Sequence, residues 1–191
     1  MTDDTGFDWI ALQRQAHREF GGRLAAVTDW DAPTPDTEWS VRDLVRHVVE
    51  EQQWVPQLLA GRSTSQAASE IGALGDDLRA EWRLHSLAAS AAWAAADHSA
   101  TVRLSYDVVT MPHYLREQTS DVAIHAWDLA RATGADEHLD DDLVAAVWSV
   151  FEPQEETLAA SGLYASPVPL PDDAPLEWRL LAVTGRDPRS V

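Results

Sequence analysis

The chain has 191 residues, no cysteine and a formal net charge of −18 at pH 7. This length suffices for one domain that buries a core without disulfides or structural metals, and the lack of cysteine excludes a disulfide framework, a thiolate nucleophile and a cysteine-type zinc site. The negative charge and the scattered basic residues argue against nucleic acid and against an anionic membrane as partners.

The N-terminal segment MTDDTGFDW lacks the basic and apolar regions of a signal peptide, and no apolar run reaches membrane-spanning length. We therefore expect a cytoplasmic protein, organised as a single domain over residues 1–191. Because cysteine is absent, any metal must be bound by histidine, aspartate or glutamate.

Hydrophobic spacing predicts two helices in the first third of the chain. Residues 7–28 place apolar side chains at helical intervals, interrupted by a pair of glycines. A proline-containing acidic loop follows. Ser40, with Asp43 three residues later, forms a start like a capping box. The second helix is therefore expected over residues 41–60.

The middle of the chain is less regular. Residues 62–77 are small and polar, which is typical of a linker or a frayed helix, and the alanine-rich residues 76–97 predict a third helix. The segment TVRLSYDVV alternates Val102, Leu104 and Tyr106 on one side, which predicts one short strand.

The last part of the chain predicts further helices. Pro112 opens a fourth helix over about residues 113–133, which ends before Gly134. An acidic loop leads to a fifth helix over about residues 143–160, and a proline-rich stretch leads to a last short helix. The fold class is therefore predicted to be all-α, a helical bundle whose sites are built from side chains on facing helices.

The fourth helix carries polar residues on its apolar face. Winding the helix at about 100° per residue puts Gln118, Asp121 and His125 on the same side as its aliphatic stripe. Unpaired polar groups in a core cost a few kcal/mol each, so these side chains need partners. Ile124 and Trp127 lie on the opposite face, which indicates that another helix or a second subunit covers that side and leaves a homodimer open.

Asp121 and His125 are four residues apart, so they stack on one helix face and can grip one cation together with a ligand from another helix. His47 is the best candidate for that ligand, at the edge of the apolar stripe of the second helix. Glu51, four residues after His47, offers a competing histidine–carboxylate pair. At this point a hydrogen-bonded pair without metal, and a His47 that merely flanks the core, remain open.

The remaining histidines have no carboxylate partner at a comparable core position and are expected at the surface: His17, His85, His98, His113 and His138. Other chemical templates are missing from the sequence. There is no glycine-rich phosphate loop, no G-x-S-x-G elbow and no H-E-x-x-H motif.

Three segments resemble a known family: WSVRDLVRHVVEEQQWVPQLLAG, DVAIHAWDLARATG and PVPLPDDAPLEWRLLAVTGRDP. They are similar to the actinobacterial metal-binding proteins of the DinB-like superfamily, which are related to the N-terminal domain of mycothiol-dependent maleylpyruvate isomerase. The likeness runs from the second helix to the C-terminus. Its most specific part is the motif HxWDLARATG after an acidic residue.

The resemblance implies an antiparallel four-helix bundle with additional short C-terminal helices. It also implies a divalent metal, foremost Zn²⁺ with Ni²⁺ or Fe²⁺ as alternatives, held by His47, Asp121 and His125. One departure stands out, because family members tend to have small residues where this chain has Glu50 and Glu51. Glu51 is therefore either a fourth ligand or an obstacle to a thiol cofactor.

A thiol-dependent enzyme is the function that the resemblance implies. The metal would bind the sulfur of mycothiol, or of a similar small thiol, and lower its pKa, so that the thiolate attacks an electrophilic substrate in a transfer or isomerisation reaction. Three protein ligands leave an open position for the sulfur. The alternatives are a non-catalytic metal-binding or stress-related bundle, and a metal-dependent hydrolase.

Overall fold

The computed structural model describes residues 6–36, 38–162 and 164–190. The elements are α1 (Trp9–Ala26), α2 (Val41–Leu59), α3 (Thr64–Ala68), α4 (Leu78–Ala95), β1 (Thr101–Arg103), β2 (Val108–Thr110), α5 (Met111–Thr133), α6 (Asp141–Phe151), α7 (Glu155–Ser161) and α8 (Leu176–Val183). A 3₁₀ turn, Glu152–Gln154, joins α6 to α7. The predicted all-α class is confirmed.

The four long helices surround a common core. α1 packs against α5 and α4, and α2 packs against the same two helices, so each long helix has two long neighbours. The short helix α6 contacts α8, α5 and α1 at the periphery. α2 and α5 are therefore neighbours, as a site shared between them requires.

Helix α2 follows from its cap and its apolar stripe. The Ser40 hydroxyl accepts a hydrogen bond from the Asp43 backbone, and the Asp43 carboxylate accepts one from the Ser40 backbone, which confirms the predicted capping box. Val45 and Val48 are fully buried. His47 lies beside this stripe with a side chain that is one-third exposed, so it stands at the rim of the bundle.

Helix α5 is the central element. Thr110 caps its start and Gly134, at a φ of 67°, ends it in the left-handed conformation that favours glycine. Ile124 and Trp127 are 1% and 2% exposed, although they lie opposite the face of His125. The predicted cover on both faces is thus confirmed, and α1, α2 and α6 of the same chain contribute to it.

The glycine pair does not interrupt α1, which runs without a break to Ala26. A Cβ atom at Gly21 would lie 2.9 Å from the Trp82 indole nitrogen on α4. The glycine therefore allows a close approach between α1 and α4, at the small cost that glycine carries inside a helix.

Two other expectations were wrong in detail. The predicted single strand is a hairpin, in which β1 pairs antiparallel with β2 and Tyr106 lies in the turn, because the Leu104 backbone donates to the Asp107 carbonyl. The predicted fifth helix breaks into α6, the 3₁₀ turn and α7, since Pro153 lacks an N–H donor and obstructs a continuous helix.

The small polar segment before α4 contains the short helix α3. Among the helices described, none is long and apolar enough to cross a membrane.

Candidate metal centre

His47 on α2 and Asp121 and His125 on α5 converge at the edge of the bundle. Each offers one ligand atom, and these atoms all lie within 4.8 Å of one another. The His47 Nε2 atom is 3.8 Å from Asp121 Oδ2, and the His125 Nε2 atom is 3.4 Å from Asp121 Oδ1. We call these three residues the ligand cluster. The structure brings them together, and their role as ligands stays a prediction.

Glu51 lies beside the ligand cluster but is not part of it. Among the described residues, the group that could hold a metal ion contains His47, Asp121 and His125 but not Glu51. Its Oε2 atom accepts a hydrogen bond of 3.1 Å from Gln118. Burial and the negative charge of Asp121 raise the pKa of Glu51 above its usual value.

One oxygen of the ligand cluster has no donor. Asp121 Oδ2 is buried, and it accepts no hydrogen bond from any group in the described part of the chain. A buried carboxylate oxygen without a donor is costly, whereas a cation between two imidazoles and a carboxylate satisfies it. Two nitrogens and one oxygen form a donor set that zinc and similar divalent metals accept. The residues present therefore fit a divalent metal.

His125 is held from behind by an ion pair. Its Nδ1 atom is 3.0 Å from Asp128 Oδ2, and Arg186 donates two hydrogen bonds to Asp128, of 3.1 and 2.8 Å. All three side chains are buried. With Nδ1 donating to Asp128, Nε2 faces Asp121 and the centre of the cluster, which is the way metal-binding histidines are commonly oriented.

The charges of the ligand cluster favour protonation of His125 when no metal is bound. Burial opposes protonation of His125, but Asp121, supported by Asp128, raises its pKa to about 10. Burial lowers the pKa of His47 below its usual value. Burial acts against the charge of Asp121 as well, yet His125 and His47 bring its pKa below the usual range. A metal ion must therefore displace a proton from His125, so that metal binding releases protons.

An indole ring covers both imidazoles. The ring centroid of Trp39 lies 4.7 Å from that of His47 and 5.7 Å from that of His125. The two imidazoles are 5.4 Å apart and nearly perpendicular. Trp39 comes directly before Ser40, the N-cap of α2, so the start of this helix fixes the position of the indole ring beside the site. The ring restricts the rotation of both imidazoles.

A cavity of about 1190 Å³ opens next to the ligand cluster. The cluster lines it, together with Phe151 at the end of α6 and with Tyr164 and Arg186 further along the chain. A volume of this size accommodates a small-molecule ligand. Burial raises the pKa of Tyr164 to about 12, so its hydroxyl remains protonated at neutral pH.

His17 is buried, which corrects the expectation that it lies at the surface. It is 9% exposed, and it shares a chain of polar side chains that we call the amide chain: Gln13, His17, Gln52 and Gln118. Its Nε2 atom is 3.0 Å from Gln52 Oε1, and Gln52 donates to Gln118 at 3.4 Å. Burial lowers the pKa of His17 to about 4. The amide chain ends at Glu51, through the hydrogen bond from Gln118.

The remaining histidines lie nearer the surface, although three of them do have carboxylate partners. These pairs are His85 with Glu81, His113 with Glu117 and His138 with Glu177, at 3.1 to 3.3 Å. His98 is half-buried. The imidazole of His113 is about half exposed and lines the cavity.

Sequence reasoning missed Asp128 and Arg186. Asp128 follows His125 by three residues, a spacing that places it on the same side of α5 and could have been noticed. Arg186 is 58 residues further along the chain, so only the tertiary fold shows that it pairs with Asp128.

Comparisons with known proteins give a family model and two relatives that match this chain. Residues 13–130 match the model of the mycothiol maleylpyruvate isomerase N-terminal domain. Two uncharacterized proteins of Mycobacterium tuberculosis, from strains CDC 1551 / Oshkosh and H37Rv, are each 31% identical to this chain, over 95% of it and 100% of the relative.

A solved structure shares the fold. The crystal structure of a mutant of mycothiol-dependent maleylpyruvate isomerase superposes with a TM-score of 0.69 and 16% sequence identity, covering 94% of this chain and 88% of that one. At this identity the likeness concerns the fold alone. The family model matches more than half of the chain, and the two relatives align with this chain over their whole length. The chain therefore belongs to the family of the mycothiol maleylpyruvate isomerase N-terminal domain.

Proposed function

We propose that this protein binds one divalent metal ion through His47, Asp121 and His125 and uses it to activate the thiol of mycothiol, or of a similar small thiol, for transfer or isomerisation. The observation that carries the proposal is the buried Asp121 Oδ2 atom, which has no donor in the described part of the chain and belongs to a carboxylate that lies close to both imidazoles. The membership of the family supports the choice of a thiol.

The protein's own residues do three things in this account. Asp128 and Arg186 fix the orientation of His125, so that its Nε2 atom stays directed at the cluster. Trp39 restricts both imidazoles from one side. The cavity, which Trp39 also lines, gives a ligand access to the cluster.

The chain supplies no nucleophilic sulfur. It contains no cysteine, so the reacting thiol must come from a second molecule. When bound, a divalent metal lowers the pKa of a coordinated thiol and provides thiolate near neutral pH. We propose Zn²⁺ first on the basis of the donor set, with Ni²⁺ or Fe²⁺ as alternatives.

A thiol-consumption assay tests the proposal. Untagged protein loaded with zinc is mixed with mycothiol and a panel of electrophiles, and loss of free thiol is followed over time. We expect consumption that stops when the metal is chelated and returns when zinc is restored. The His125→Ala variant should be inactive, whereas His138→Ala, which changes an exposed histidine outside the cluster, should match the unmodified protein.

The same assay separates the competing functions. Metal-bound protein that consumes no thiol with any electrophile contradicts thiol activation and favours a non-catalytic metal-binding protein. Activity that persists at full rate in the His125→Ala variant contradicts the assignment of the site.

A further inference from the structure

The cavity beside the ligand cluster carries an unequal set of charges. Its lining includes the carboxylates Asp36, Glu38, Glu51, Glu117 and Asp121, and the guanidinium groups of Arg116 and Arg186. Arg186 is already compensated, because it makes two hydrogen bonds to Asp128 and lies 3.5 Å from Asp36. With a proton or a divalent ion in the ligand cluster, the five carboxylates still outnumber the positive charges of that cluster and of Arg116, so an entering molecule meets a net negative lining.

Glu51 is held in place by a series of buried polar side chains. Its Oε2 atom accepts from Gln118, Gln118 accepts from Gln52, and the Gln52 Oε1 atom accepts from His17 Nε2. Gln52 and Gln118 are 0% and 8% exposed, so this support lies inside the bundle. Glu51 is consequently held next to the ligand cluster, where a charge in a partly buried site acts more strongly than it does in water.

A second feature of the cavity points to a polar ligand. Ser120 belongs to the lining, yet the residue is only 2% exposed and its hydroxyl oxygen is buried. It has no hydrogen-bond partner in residues 6–36, 38–162 and 164–190. A buried hydroxyl without a partner is unfavourable, and a ligand that hydrogen-bonds to it removes the penalty. A hydroxyl donates as well as accepts, so it suits an uncharged polar group.

From these observations we infer that the ligand accepted beside the ligand cluster is neutral or positively charged rather than anionic, and that Glu51 sets this preference. The inference rests on the proposed function, since it concerns the molecule that reacts at that site. A carboxylate on an incoming molecule would meet Glu51 and Glu117, whereas an ammonium group or a hydroxyl would find acceptors there.

Three thiols of similar size and different charge test the inference. The full chain is loaded with Co²⁺, and cysteamine, 2-mercaptoethanol and 3-mercaptopropionate are titrated while the sulfur-to-cobalt charge-transfer absorption is recorded. We expect cysteamine and 2-mercaptoethanol to bind about tenfold or more tightly than 3-mercaptopropionate, with a difference that shrinks as salt is added.

Matched variants assign the preference to a residue. Glu51→Gln keeps the hydrogen-bonding shape and removes the charge, so it should reduce the discrimination against 3-mercaptopropionate several-fold. Glu70→Gln removes an exposed carboxylate that pairs with Arg62 outside the cavity, and it should leave the discrimination unchanged.

The outcomes separate the inference from the function beneath it. Equal or tighter binding of 3-mercaptopropionate, with a normal absorption band for all three thiols, overturns the inference and leaves thiol binding intact. Unchanged discrimination in Glu51→Gln overturns the role of that residue. A cobalt-loaded protein that gives no band with any of the thiols overturns the proposed function, and the inference falls with it.

Discussion

The amide chain and the ligand cluster are two polar regions within one helical bundle, and they differ in completeness. In the amide chain, Gln52 bonds to His17 on one side and to Gln118 on the other. In the ligand cluster, Asp121 Oδ2 is buried and accepts no hydrogen bond from the described residues. The difference teaches that a polar residue on a core face indicates a ligand only when its neighbours leave it unsatisfied.

Charge separates the two regions as well. The amide chain consists of three neutral amides and a histidine whose pKa burial lowers to about 4. The ligand cluster contains an aspartate whose charge raises the pKa of His125 to about 10. The amide chain is thus complete without any added ion, whereas in the proposed function the ligand cluster holds either a proton or a metal ion. Each variant below acts on one region and should leave the other intact.

The largest effect is expected from His125→Ala. The change removes one of three ligands, so metal content should fall close to zero while the circular dichroism spectrum stays helical. Loss of a hydrogen-bonded buried group costs about 1–3 kcal/mol, which is less than a typical domain stability of about 5–15 kcal/mol. Metal analysis and circular dichroism on one sample measure both. Full metal occupancy in the variant would refute the assignment, and outright unfolding would show that the metal is structural.

Asp128→Asn is expected to act on both stability and metal affinity. The change removes the buried charged partner of Arg186 and leaves only the more exposed Asp36, 3.5 Å away, at a cost of up to about 3–5 kcal/mol to the free energy of unfolding. The orientation of His125 is weakened too, which should reduce metal affinity about 10- to 100-fold. Denaturant titration and competition with a zinc chelator measure the two effects.

The matched control for this ion pair is Asp187→Asn, which removes the carboxylate of an aspartate–arginine pair at the surface. Solvent screens this pair, so neither stability nor metal affinity should change measurably. If Asp128→Asn behaved like this control, Asp128 would have no part in holding His125.

Gln52→Leu tests the amide chain. Leucine has nearly the volume of glutamine but leaves His17 and Gln118 without their shared partner, and an unpaired buried group costs about 1–3 kcal/mol. Metal content should stay at the level of the unmodified protein. Gln57→Leu, on the same helix but at a half-buried position, removes only a hydrogen bond from Arg62 near the surface and should change the free energy of unfolding by about 1 kcal/mol or less. Loss of metal in Gln52→Leu would contradict the independence of the two regions.

The smallest effect is the pH dependence that His17 contributes. Its pKa is about 4 in the folded protein against an ordinary value of 6.5, so the unfolded chain binds the proton more readily. The free energy of unfolding therefore decreases as the pH falls from about 6.5 toward 4, by about 1 kcal/mol between pH 7 and pH 5.5. Denaturant titrations of the unmodified protein and of His17→Gln measure it, and the variant should lose this component. An identical pH profile for both would contradict it.

Local patterns in the sequence predicted much of this molecule. The capping box at Ser40 and the aliphatic periodicity gave the bounds of α2, and Pro112 with Gly134 bracketed α5 closely. Asp121 and His125 could be paired because their spacing lies within one helix. His47 was harder to assign, because its place at the rim becomes a site only when α2 packs against α5.

The features that the sequence did not reveal depend on packing between distant segments. His17 was expected at the surface. Helix α1 contacts both α4 and α5, however, so α1 buries a wider face than its apolar stripe alone, and His17 lies within that face. Arg186 reaches Asp128 only after the C-terminal segment has folded back onto the bundle. Pro153 is a local helix breaker, but the helical pattern of the residues on both sides of it predicted one continuous helix.

Metal stoichiometry tests the central claim most directly. Protein purified without a histidine tag is incubated with zinc, passed through a desalting column and analysed for metal and protein on the same sample. The account predicts about one zinc ion per chain, since two imidazole nitrogens lie close to one carboxylate that has a buried oxygen without a donor. A metal content that stays near zero after zinc addition, in a protein that is folded, would contradict it.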